Sequence, residues 1–105
     1  MTYVFQIKDK FGRKIHLSKE RWHHILNHKG MENKLEDIKK TLMNPTIIIP
    51  HRHDENRSNY YLHYKEKKRY LLVAVKYLNG EGYVTTSFIT RKIIKNDKSK
   101  PADLL

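Results

Sequence analysis

The chain has 105 residues, no cysteine, 38% hydrophobic residues and a formal net charge of +11, from 22 Lys and Arg against 11 Asp and Glu. That length suits one domain with a modest core, burying roughly 60–70% of the surface of the unfolded chain. The lack of cysteine excludes disulfides, thiolate nucleophiles and cysteine-based zinc sites, and agrees with a reducing compartment.

Seven Tyr, three Phe and one Trp supply large buried areas and argue against disorder of the whole chain. The positive charge is spread evenly: residues 1–60 carry 12 basic and 7 acidic side chains, and residues 61–105 carry 10 and 4. A field of this sign attracts polyanions and speeds their capture, so RNA, DNA or an acidic protein is the expected kind of partner. The first residues alternate polar and apolar, with no apolar run of signal-peptide length, and no stretch approaches the ~20 apolar residues of a membrane span. The expectation is a soluble, cytoplasmic protein with no membrane association.

Tyr3, Phe5 and Ile7 alternate with polar neighbours, and Asp9-Lys10-Phe11-Gly12-Arg13 turns the chain into Lys14–Leu17, which reads as a short hairpin. Ser18 can cap a helix over Ser18–His28 with Trp22, Ile25 and Leu26 at i, i+3, i+4 spacing, ended by Gly30. A second helix is predicted from Asn33, with Glu36 completing a capping-box-like pair and Leu35, Ile38 and Leu42 on its buried face, up to Asn44-Pro45. Four segments rich in Tyr, Val, Ile and Thr follow as strands: Thr46–Ile49, Asn59–Tyr64, Tyr70–Leu78 and Tyr83–Thr90. Asn79-Gly80-Glu81-Gly82 signals a hairpin between the last two. Tyr70–Leu78 is apolar on both faces and belongs in the middle of the sheet. The expected fold is α+β: an antiparallel sheet of about four main strands with two N-terminal helices, in ββααββββ order. The domain spans residues 1–95, with a flexible C-terminal tail over 96–105.

On the first helix, Arg21, His24 and His28 form a stripe along one edge of the apolar face, whereas His23 points away from it. Histidine titrates near neutrality, so it can take and return a proton in one cycle. RNA cleavage needs that service twice, for the ribose 2′-hydroxyl and the departing 5′-oxygen, and positive donors around the phosphorane. The competing reading is a half-buried structural histidine beside a solvated one. The last predicted strand carries Thr85, Thr86, Ser87 and Thr90, whose hydroxyls can meet phosphate oxygens, followed by the cations Arg91 and Lys92. Lys76 stands on the less apolar face of the neighbouring strand, where it must snorkel outward or meet an anion. Tyr61, among Tyr60, His63, Tyr64 and basic residues such as Arg57 and Lys65, is a candidate for stacking RNA bases, although ordinary cross-strand packing would use the same rings. His51-Arg52-His53-Asp54 lacks a matching distant ligand set, so no metal site and no cofactor is expected.

Ile15-His16-Leu17 followed by Arg21-Trp22-His23-His24-Ile25 and His28 resembles the leading helix of the phage-associated branch of the barnase–EndoU–colicin–RelE nuclease superfamily. Ile38, Thr41, Leu42 and Asn44-Pro45 resemble its second helix, Tyr70–Lys76 its central strand, and Val84–Ile93 its closing strand. The match runs in order over residues 14–93. The resemblance implies a metal-independent endoribonuclease, toxin-like, acting on RNA that is free, ribosome-bound or transfer RNA, and opposed by an acidic antitoxin or immunity protein. It assigns His24 to the active site, with Ser87 and Thr90 at hydroxyl positions of the closing strand. Arg21, His28, Lys76 and Arg91 become supporting cations or proton carriers. From charge and aromatic content, Arg21, Lys76, Tyr61, Arg69 and Lys92 are expected to contact RNA. A non-catalytic nucleic-acid-binding module explains the charge and the aromatics equally well.

Overall fold

A computed structural model describes residues 3–93. The tail expected over 96–105 lies outside the described residues. Eight elements follow one another: β1 (Tyr3–Lys8), β2 (Lys14–Ser18), α1 (Lys19–Ile25), α2 (Leu35–Met43), β3 (Ile47–Pro50), β4 (Arg57–Tyr64), β5 (Arg69–Leu78) and β6 (Glu81–Thr90).

The expected antiparallel sheet of about four main strands does not hold. One six-stranded sheet forms in the order β1-β2-β6-β5-β4-β3, and it is mixed, because β2 runs parallel to β6 while the other pairs are antiparallel. Strand residues far outnumber helical ones, so the chain is mostly β. The reason is non-local. Short strands such as β1, β2 and β3 bury an apolar face only by joining the larger sheet, and a parallel neighbour requires a long connection, here the whole segment from α1 to β5. Neither fact is written in a local pattern.

The turn between β5 and β6 does follow from its sequence. Asn79 and Gly80 both take positive φ, 55° and 81°, as a two-residue hairpin with the twist of its strands requires. Ser18 caps α1, its Oγ accepting the Arg21 N–H at 3.1 Å. The helix ends earlier than its apolar spacing predicts. After Ile25 the chain tightens, with Asn27 N–H donating to the His24 carbonyl and His28 N–H to that of Ile25, so His28 lies in a turn beyond the helix. The capping box expected at Asn33 and Glu36 does not form: α2 begins at Leu35, and Glu36 pairs with Lys39 at 3.2 Å instead.

Both helices pack on one face of the sheet. Ile25, Met31, Ile38 and Leu42 meet Phe5, Ile15, Leu17, Tyr60, Leu71, Val73, Val75 and Val84 in a single buried cluster. One polar knot sits at the edge of this core. The buried Asp9 carboxylate accepts the backbone N–H groups of Phe11 (2.8 Å) and Arg13 (2.9 Å) and the Tyr60 hydroxyl (2.7 Å), and pairs with the Arg13 guanidinium at 3.2 Å. Arg13 also donates to the hydroxyls of Tyr60 and Tyr77, each at 3.0 Å, and lies over the Tyr77 ring. The two hydroxyls bond to each other. The β1–β2 turn is thereby tied to β4 and β5 through hydrogen bonds that satisfy every buried member.

Burial pushes the Asp9 carboxyl up, but the Tyr60 hydroxyl, the two backbone donors and the Arg13 charge outweigh it and hold the group below its ordinary value. A carboxylate with a depressed folded pKa contributes stability that is complete above its unfolded value of about 3.9 and is lost as pH falls through the folded value. Urea unfolding is therefore expected to show a loss of stability below about pH 4 that Asp9→Asn reduces. Gly82 packs directly on the knot: a Cβ there would stand 2.9 Å from the Tyr77 ring and 3.1 Å from Ile15. Gly82→Ala is expected to lower the unfolding free energy by about 1–3 kcal/mol in the same assay.

Candidate active site

Strand alternation assigns the second face of the sheet. Ile15, Val84, Ser87, Val73 and Tyr60 share the helix-bearing face. Their neighbours His16, Tyr83, Thr86, Phe88, Lys76 and Tyr61 therefore point to the other, on which no helix packs among the described residues. A β-bulge sets this phase. Ala74 pairs with Thr86 and Val75 with Val84, so Thr85 is an extra residue in β6. Without it, Val84 and Thr86 would share a face.

The pairing of β2 with β6 covers only Ile15↔Gly82 and His16↔Tyr83. The chain then leaves the sheet through Ser18 into α1, and past Tyr83 that side of β6 is bordered by α1 and the turn after it. A Cβ on Gly30 would touch Ile89 at 3.5 Å on the core face. The imidazole of His28 instead lies against Phe88, ring centroids 5.5 Å apart, with Nε2 3.4 Å from the Thr86 hydroxyl. His28 thus reaches round the edge of β6 onto the helix-free face. His24, exposed, stands with its ring edge-on to His28 at 6.3 Å. Beside it, Glu20, Arg21, His23, Leu26 and Asn27 line an open depression.

A second group lies in one row across the strands. Gln6 on β1, His16 on β2, Tyr83 on β6, Lys76 on β5 and Arg57 on β4 are consecutive register partners. Lys76 is half-buried and pairs with no carboxylate among the described residues, whereas Arg57 is bound to Asp54 at 3.2 Å. Lys76 is two residues along β5 from Ala74, the partner of Thr86, or roughly 7 Å.

The remaining sequence candidates lie elsewhere. Ser87 is fully buried on the core face, its hydroxyl donated to the Leu72 carbonyl at 2.7 Å. Tyr61 is also fully buried, edge-on to Tyr70 at 6.2 Å, and presents no free ring face. Thr90 bonds through its hydroxyl to the main chain of Lys92, and Arg91 and Lys92 are exposed past the end of β6. Arg69 donates to the Lys67 carbonyl at 3.3 Å. With the exposed Lys65, Lys67 and Lys68 of the β4–β5 turn, Arg69, Arg91 and Lys92 form a cationic end to the sheet. Among the described residues no group of three or more His, Cys, Asp or Glu side chains is arranged to hold a metal. His51 Nδ1 accepts the His53 N–H at 3.1 Å, and Asp54 accepts that of Asn56 at 2.9 Å.

The structure therefore brings His28 to the side of the sheet that bears Lys76, with the His24 ring 6.3 Å from it, adds Phe88, and selects Thr86 among the four hydroxyl residues of the strand. The bulge at Thr85 decides which of the adjacent Thr86 and Ser87 faces away from the core, and no residue pattern marks it. Paired imidazoles, a threonine hydroxyl and a lysine on a basic sheet face form a site suited to phosphodiester chemistry. The chain belongs to the phage-Barnase-EndoU-ColicinE5/D-RelE like nuclease2 family, which it matches over residues 4–103. No curated protein and no solved structure matches it.

Replacing the buried Ser87 hydroxyl separates a packing role from a chemical one. Ser87→Ala is expected to lower the unfolding free energy by about 1 kcal/mol in urea titrations and to retain nuclease activity.

Proposed function

We propose that this domain is an endoribonuclease that works without a metal ion, with His28 and His24 as its proton carriers. The observation that carries this reading is the position of His28, held against Phe88 and Thr86 with a second imidazole 6.3 Å away, in a member of a nuclease family. One histidine removes the proton of a ribose 2′-hydroxyl, whose oxygen then forms a bond to phosphorus. The bond from phosphorus to the 5′-oxygen breaks, and the other histidine supplies the proton that this oxygen takes up. The products are a 2′,3′-cyclic phosphate and a 5′-hydroxyl. Lys76 offsets the charge that builds on the phosphorane, the Thr86 hydroxyl orients the phosphate or the His28 ring, and Arg21 guides the strand along α1. The cationic end formed by Lys65, Lys67, Lys68, Arg69, Arg91 and Lys92 holds flanking phosphates.

The same surface suits an acidic protein inhibitor, as a toxin-like nuclease acting in the cytoplasm requires. No helix among the described residues is long and apolar enough to cross a membrane.

End-labelled single-stranded RNA incubated with the pure protein in EDTA tests the proposal. Cyclic-phosphate ends are expected from the parent protein, with rates lower by roughly 10²–10⁴ for His28→Ala and for His24→Ala. Intact RNA from the folded parent protein overturns the enzymatic reading in favour of a binding module. Cleavage abolished by EDTA overturns the metal-independent route, and undiminished cleavage by both variants overturns the assignment of the histidines.

A further inference from the structure

The helix-free face carries one feature that the cleavage chemistry above does not use. The rings of Tyr3, His16 and Tyr83, from three neighbouring strands, lie almost parallel. Tyr3 and His16 have centroids 4.1 Å apart at 20°, and His16 and Tyr83 are 5.8 Å apart at 22°. The geometry points to a platform on which an unpaired nucleobase stacks, its phosphate meeting Lys76.

Three observations support this use of the rings. All three are half-buried on the face opposite the hydrophobic core, so the fold does not need them for its main packing. The imidazole is stacked between the two phenol rings and its Nδ1 is buried without a hydrogen-bond partner, so aromatic contact orients it. The faces left for a base are the outward ones of the terminal rings, with that of Tyr83 toward Lys76. Tyr83 is the direct register partner of Lys76, placing a cation at the rim of the stack, and adjacent strands are about 4.8 Å apart. Rings beside a cation on a sheet match the requirements of single-stranded nucleic acid, whose bases offer π-faces and whose phosphates alternate with them. A duplex hides those faces, so the platform discriminates in favour of unpaired strands. The row of Thr86 and His28 lies roughly 7 Å from Lys76 along β5, so the phosphate that Lys76 meets is the scissile one, held between the lysine and the histidines. A base on Tyr83 is thereby the neighbour of the bond presented to the histidines.

The platform rests on the cleavage proposal only for the choice of RNA as natural ligand, and its test uses DNA, which lacks the 2′-hydroxyl and stays intact. A fluorescently labelled single-stranded 12-mer oligodeoxynucleotide and its duplex are titrated with the protein at several salt concentrations and read by anisotropy. The parent protein is expected to bind the single strand more tightly than the duplex. Tyr83→Leu is expected to weaken single-strand binding roughly tenfold or more without changing the salt slope, because stacking is lost and no phosphate contact is. Tyr83→Phe keeps the ring and is expected to retain affinity, while Lys76→Ala lowers the slope by about 1. Should Tyr83→Leu fail to fold by circular dichroism, Tyr83→Val, which also removes the ring and suits a strand, provides the same reading. Unchanged single-strand affinity in a folded variant without the Tyr83 ring overturns the platform, even if RNA is cleaved. Reduced affinity supports it even if no RNA is cleaved.

Discussion

The arrangement of the site depends on how briefly β2 and β6 stay together. Two register pairs, Ile15↔Gly82 and His16↔Tyr83, join the N-terminal hairpin to the body of the sheet before the strands part. Longer pairing would fill the side of β6 with another strand and leave no room for α1 and its turn. Shorter pairing would free the hairpin and, with it, His16. Gly82 makes the contact possible, since Ile15 and the Tyr77 ring occupy the space where any side chain would stand. The constraint is steric and lies far from the histidines whose position it sets.

The polar knot of Asp9, Arg13, Tyr60 and Tyr77 supports that contact from the core side. A buried carboxylate is costly unless its charge and lone pairs are satisfied, and here backbone donors, a guanidinium and a phenol do so together. Burial and the neighbouring Tyr77 and Asp9 groups raise the pKa of Tyr60 well above its ordinary value, so it remains a donor across the physiological range. The knot orders the tight turn between β1 and β2, and the register of that hairpin carries His16 to Tyr83. Stability and the candidate site are thus joined through one hairpin. The two faces of the sheet divide the work: the helices, the apolar core and the polar knot lie on one, and His16, Tyr83, Lys76 and the His28 ring on the other.

Part of the candidate site was legible in the residues. The place of Lys76 follows from alternation along Tyr70–Leu78, and helical spacing puts Arg21 and His24 three residues apart on α1, but His28 lies in the turn beyond the helix, where that spacing does not apply. Ser87 and Thr86 were not separable in this way. They are adjacent, both hydroxylic and both suited to a strand, and an extra residue at Thr85 reverses the alternation that would otherwise sort them. Tyr61 reads as an exposed stacking ring beside basic neighbours, yet it is fully buried, flanked by Ile47 on β3 and Leu72 on β5 and set edge-on to Tyr70.

By itself the sequence determined what depends on near neighbours: the Ser18 cap, the Asn79-Gly80 turn, the strand-forming segments, the net charge of +11 and the order of residues that resembles a nuclease family. These rest on dihedral preferences, hydrogen bonds within a few residues, and composition. Only the tertiary structure decided that β2 lies parallel to β6, that α1 stops at Ile25, and that His28 turns onto the face holding Thr86 and Phe88. Those outcomes arise from contacts between segments separated by roughly 60 residues, such as His28 with Thr86. They are selected by which surfaces can be buried together, a property of the assembled sheet that no single segment carries.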